Sequence, residues 1–126
     1  MSKEIIKTSN APAAIGPYSQ GVVAGKFLFC SGQIPINPKT GEQTRSSIKE
    51  QTIQVLENLK GIIEAAGSKL DNVVKVTIYI SSMDYFKEIN EIYASYFKEN
   101  PPARATVAVK GLPLGFDVEM DAITIV

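Results

Sequence analysis

Hydrophobic positions recur along this chain with two periods. Over residues 73–81 the period is two, with Val74, Val76, Ile78 and Ile80 on one side and Lys75, Thr77 and Tyr79 on the other, which predicts a strand. Between residues 48 and 66 the period is that of a helix: Ile48, Val55, Leu56, Leu59, Ile62, Ile63 and Ala66 share a face. Ser47-Ile48-Lys49-Glu50 before it matches a capping box, and Gly67 after it is a stop. A second helical stripe runs through Phe86, Ile89, Ile92, Tyr93, Tyr96 and Phe97, with Asp84 as its expected N-cap. Asn90 lies one turn from Phe86 and from Tyr93, so its amide borders a buried stripe and needs a partner, in a structural hydrogen bond or in a site.

Upstream, a short extended segment over 5–8 and an irregular Ala-, Pro- and Gly-rich loop over 11–21 lead into a hairpin. Its arms are 20–24 and 27–32, turning at Gly25-Lys26, and a further turn covers 35–41. Downstream, strands over 104–110 and 116–126 are joined by Gly111-Leu112-Pro113-Leu114-Gly115. The order hairpin, helix, strand, helix, strand, strand predicts an α+β two-layer sandwich in which one mixed β-sheet carries two helices on one face, in a single domain over 1–126. The second sheet face then lies bare, and oligomerisation is the usual cover for such a face when it is not wholly polar.

Composition narrows the chemistry. Thirteen basic and 13 acidic residues balance, and with a pI near 6.3 no global field draws nucleic acid or an anionic membrane. The N-terminus has no apolar run of signal-peptide length and no segment approaches a membrane span, so a cytoplasmic protein is expected. Cys30, the single cysteine, lies in an apolar strand and reads as core packing in a reducing compartment. With no histidine, the Ser-His and Cys-His nucleophile pairs and most zinc sites are excluded. Neither a P-loop nor GxGxxG occurs. Carboxylates, arginine, hydroxyls, backbone groups and water remain.

Four segments hold those groups. Pro101-Pro102 stops the second helix and gives Arg104 a stiff mount at the start of a strand. Alternation sets Arg104, Thr106 and Ala108 against Ala105, Val107 and Val109, so Arg104 is expected to face away from the apolar side. An arginine is ordinarily a solvated surface residue, but one mounted in this way suits a small carboxylate, gripped through two parallel hydrogen bonds. Tyr18, after Gly16-Pro17, closes a pocket or simply packs. Ser31-Gly32 offers a hydroxyl and a backbone N–H to a polar substrate. Asp117, Glu119 and Asp121 alternate onto one strand face, which is more simply a partly solvated face than a cation site, and which supplies a candidate general acid/base.

Taken together, Ala13-Ala14-Ile15-Gly16-Pro17-Tyr18-Ser19-Gln20-Gly21, Ser31-Gly32-Gln33-Ile34-Pro35 with Asn37-Pro38-Lys39-Thr40-Gly41, Pro102-Ala103-Arg104, and Val118-Glu119-Met120-Asp121-Ala122-Ile123 closely resemble the Rid family of reactive enamine/imine deaminases, the YjgF-type proteins. The resemblance spans nearly the whole chain. It implies a chorismate-mutase-like fold, a homotrimer with clefts between subunits, and cofactor-free hydrolysis of 2-aminoacrylate, 2-iminopropanoate and 2-iminobutanoate to 2-keto acids and ammonia. It also implies that Arg104 binds the substrate carboxylate and that Glu119 positions the attacking water and manages its proton. Tyr18, Ser31, Gly32 and Asn90 would line or support the cleft, with Thr106 where many members carry cysteine. Small imino and enamine acids are then the expected partners, with neither metal, nucleic acid nor membrane involved. The competing reading is a non-catalytic regulatory or chaperone-like trimer that senses small carboxylates. A sensor gains nothing from a second negative charge beside its ligand, and Glu119 therefore favours catalysis.

Overall fold

The computed structural model describes residues 2–126. Six strands form one sheet: β1 (Lys3–Ile6), β2 (Gly21–Ala24), β3 (Phe27–Gln33), β4 (Val73–Ile80), β5 (Ala103–Ala108) and β6 (Val118–Ile125), in the order β1-β2-β3-β6-β4-β5. All neighbours are antiparallel except β4 and β5, which run parallel. Helices α1 (Ile48–Ala65) and α2 (Phe86–Tyr96) supply the crossovers β3-α1-β4 and β4-α2-β5. The expected two-layer α+β sandwich with a mixed sheet is the architecture observed.

The hairpin between β2 and β3 turns on Gly25 and Lys26, with Gly25 at φ 61, the sign that the first position of a tight two-residue loop demands. Helix α1 begins at Ser47, whose hydroxyl accepts from the Glu50 amide at 3.1 Å. The box is only half made, because the Glu50 carboxylate accepts from the Ser46 hydroxyl. Its other end closes as a Schellman motif: Gly67 is at φ 82, its amide donates to the Glu64 carbonyl, and the Ser68 amide donates to that of Ile63.

Two local expectations are corrected. Asp84 does not cap α2; Ser82 is the extended residue, and its hydroxyl accepts from the Asp84 amide at the head of a 3-10 turn over Met83–Tyr85 that leads into the helix. Val74 does not share the buried side of β4, because a bulge between Val73 and Lys75 in the pairing with β6 turns Val73 inward instead.

The core lies between sheet and helices. Val55, Leu56, Leu59, Ile62 and Ile63 of α1 meet Leu28, Val76, Ile78, Ile80, Val118 and Met120, all buried. Each such side chain contributes about 1.5–3 kcal/mol relative to exposure. Cys30 belongs to this core, where burial pushes its thiol up to about 12 and leaves it inert as a nucleophile. The opposite sheet face is bare and partly apolar, with Phe27, Phe29, Val107 and Ile125 exposed. No helix among the described residues is long and apolar enough to cross a membrane.

Candidate active site

Arg104 enters β5 two residues after Pro102 and pairs in register with Val76. Val76 is buried beneath the helices, so Arg104 projects from the helix-bearing side of the sheet and not away from it. The alternation in β5 is as expected, but the side assigned to it is reversed. The reason lies in α2, whose Phe86 and Tyr93 offer the guanidinium an aromatic bed. Its carbon stands 5.0 Å from the Tyr93 ring centre and 5.6 Å from that of Phe86. Nη1 donates to Asn90 Oδ1 at 2.7 Å. Asn90 thus has the partner its position required, and Arg104 keeps further N–H donors at the surface.

Thr106 lies on the same side, paired with Ile78, and its hydroxyl is buried without a hydrogen-bond partner among the described residues. Burial pushes the Tyr93 phenol up to about 12 against the lowering effect of Arg104, keeping it neutral. Asn90, Tyr93, Phe97, Pro102 and Arg104 border one open cleft.

Glu119 is in the middle of the sheet on β6 and pairs with Tyr79, on the bare face. It lines a second cleft of about 540 Å3 with Tyr18, Ser31 and Gly32, bounded on its apolar side by Ile15, Ile34, Pro113 and Leu114. Burial, and then the negative charge of Asp121, hold the Glu119 carboxyl above the usual carboxylate range. Gly32 is required for this packing: a Cβ there would lie 2.3 Å from Glu119 Oε2. The Ser31 hydroxyl donates to the Ser19 carbonyl at 2.5 Å and its amide to the Gln20 carbonyl at 2.9 Å, which ties the floor of the cleft to the loop that carries Tyr18. Tyr18 turns its hydroxyl to the Ile15 amide at 3.3 Å.

The three carboxylates do not act as one row. Asp117 precedes β6 and is occupied by the Ser81 hydroxyl at 2.7 Å and the Gln51 amide at 3.2 Å. Asp121 accepts from the Tyr79 hydroxyl at 2.8 Å. Glu119 alone lacks a hydrogen-bond partner among the described residues, where no cluster of three potential metal ligands occurs either.

The structure therefore gathers the sequence-derived residues into two groups: Arg104 with Asn90 and Thr106, and Glu119 with Tyr18, Ser31 and Gly32. Within one chain these lie on opposite faces of the sheet. The apolar wall of the Glu119 cleft escaped sequence reasoning, because Pro113 and Leu114 read only as turn residues. An exposed leucine framed by proline and glycine was the available signal. Leu114 holds φ 58 within a 3-10 turn over Pro113–Gly115, a conformation that costs a non-glycine residue about 1–2 kcal/mol.

Comparison with known proteins places this geometry among close relatives. A family model described as Endoribonuclease L-PSP matches residues 8–126. The chain is 56% identical to a RutC family protein of Pyrococcus horikoshii, covering 96% of each. It is 43% identical to the chloroplastic Reactive Intermediate Deaminase A of Arabidopsis thaliana, covering 98% of this chain and 66% of that one. Its structure superposes on TdcF of E. coli, solved with bound serine, with a TM-score of 0.94 at 41% identity, covering 98% of each.

Proposed function

Given that the chain belongs to the Endoribonuclease L-PSP family, the YjgF/Rid proteins, we propose that it is a hydrolytic deaminase of 2-imino and 2-enamino acids, with its site completed between copies of the chain. The observation that carries this reading is the split itself. An oriented arginine with spare donors and an unpartnered, half-buried glutamate over a glycine are each half of a site, and neither half completes the other within one chain. A homotrimer joins them by setting the Arg104 cleft of one copy against the Glu119 cleft of the next. The exposed apolar residues of the bare sheet face supply a surface for that association.

The chemistry needs little more. Protonated 2-imino acids have an electrophilic carbon next to a carboxylate. Arg104 fixes the carboxylate, while Ser31 and the Gly32 backbone border the reacting carbon. Glu119, its pKa raised, takes a proton from water as the water adds. Glu119 returns that proton to the nitrogen of the resulting carbinolamine and accepts the hydroxyl proton as the C–N bond breaks, so that ammonia leaves and the 2-keto acid remains. Support for a small amino-acid-like ligand comes from the serine bound in the TdcF structure, and support for the reaction from the name of the Arabidopsis relative. RNA cleavage, which the family description suggests, is disfavoured by the balance of 13 basic and 13 acidic residues, which leaves no global field to draw a phosphate backbone.

The test couples an enzyme that generates 2-aminoacrylate to this protein and follows keto-acid release. Acceleration over the spontaneous rate is expected. Arg104→Lys and Glu119→Gln, each strongly impaired alone, should regain about one quarter of the sites when co-refolded in equal amounts, since random association pairs an intact arginine with an intact glutamate that often. Background rates with the wild type would end the deaminase reading, and failure to regain activity on mixing would end the composite site.

A further inference from the structure

We infer that Leu114, held in place by Arg45, sets how well the Glu119 cleft accepts an aliphatic substrate side chain. The inference rests on the deaminase reading. The cleft is about 540 Å3, within the roughly 300–1,000 Å3 of pockets that take drug-sized ligands, and a three-carbon imino acid fills only part of it. Its polar groups are few and gathered on the floor. The rest is apolar, and two of its aliphatic side chains are strongly exposed, Ile15 at 81% and Leu114 at 57%. In a single chain such exposure leaves apolar surface in the Glu119 cleft, to be covered by a substrate side chain together with the next copy.

Arg45 explains how Leu114 is kept there. From outside the cleft its Nη2 donates to the Leu114 carbonyl at 2.7 Å. Its own orientation is fixed twice: Nε and Nη2 donate to Gln43 Oε1 at 3.0 and 2.7 Å, and the guanidinium lies 4.2 Å from the ring centre of the buried Phe116. The left-handed backbone of Leu114 is thus bridged across the turn by one side chain. Arg45 does not itself line the cleft and acts on it only through Leu114, as a positioning residue. A lysine provides neither the fork nor the flat stacking surface.

The experiment compares imines generated by an amino-acid oxidase from alanine, 2-aminobutyrate and leucine. Wild-type protein is expected to hydrolyse all three. Leu114→Ala should lower kcat/KM about tenfold for the leucine-derived imine while leaving the alanine-derived one within about twofold. Arg45→Lys should move the same ratio in the same direction, through KM more than kcat. An equal fall for all three substrates, with or without altered assembly by light scattering, makes both residues structural and overturns the inference. Unchanged ratios also overturn it, as does wild-type activity confined to the two smaller imines. Inactivity of the wild type on every imine is a different result, since it removes the deaminase reading beneath.

Discussion

Arg104 and Glu119 stand on opposite faces of one sheet. Arg104 is in register with Val76 beneath the helices, while Glu119 is in register with Tyr79 on the bare face. Side chains of a strand alternate, so no rotamer change brings the two together through the sheet. Any chemistry that uses both requires a second copy of the chain, and on the proposed reading activity should be lost whenever assembly is.

Arg104→Lys keeps the charge but loses the planar fork that serves Asn90 and a substrate carboxylate at once. Losing a charge-assisted pair of this kind costs about 2–5 kcal/mol, so kcat/KM is expected to fall roughly 30-fold or more. The fold should be retained, because the side chain is exposed. Steady-state kinetics beside circular dichroism checks this; a fully active lysine variant would contradict two-point carboxylate recognition.

Glu119→Gln separates binding from turnover. The proton acceptor disappears, and turnover should drop about 10²-fold or more. An unreactive keto-acid analogue should bind as well as before or better, since Arg104 remains. Stability should not suffer, because a desolvated carboxylate that Asp121 repels gives way to a neutral amide. Calorimetric binding and thermal melts report both; a variant with unchanged turnover rules out Glu119 as the base.

Gly32→Ala probes the same residue from below. The added methyl meets the movable end of the Glu119 side chain rather than backbone, so the fold accommodates it while the carboxylate shifts. Turnover is expected to fall at least tenfold, with a melting temperature close to that of the wild type. Equal damage to both would show that Gly32 serves the fold alone.

The pH profile follows from the sign of the Glu119 shift. A carboxyl held above its usual range loses its base form as pH falls through that raised value, so the acid limb of kcat/KM should lie above the roughly 4.3 of a free glutamate. Asp121→Asn removes one cause of the shift and should move the limb to lower pH. An upward or absent movement would mean that another group carries the limb.

Much of this was legible in sequence because period and punctuation agree. The stripe from Val55 to Ile63, the Ser47 cap and the Gly67 stop each recur in the structure. What was not legible depends on partners distant in sequence. The side taken by Arg104 was set by Tyr93 and Phe86 of α2, and the bulge at Val74 by the register of β6. The wall formed by Leu114 was set by an arginine 69 residues earlier. Glu119 was identified by motif, whereas its isolation from Asp117 and Asp121 follows from Gln51, Ser81 and Tyr79, which already engage those two.

The buried amide of Gln20 gives the N-terminal part of the molecule a shared fate. Its oxygen accepts from the Thr8 amide, and its nitrogen donates to the carbonyls of Thr8, Ala11 and Pro12, while its own carbonyl receives the Ser31 amide. The loop bearing Ile15 and Tyr18 and the end of β3 at Ser31 therefore hang from one residue. An opening that displaces Gln20 as a whole releases the Ser31 amide along with the loop, so the amides of Thr8 and Ser31 should exchange together in that opening.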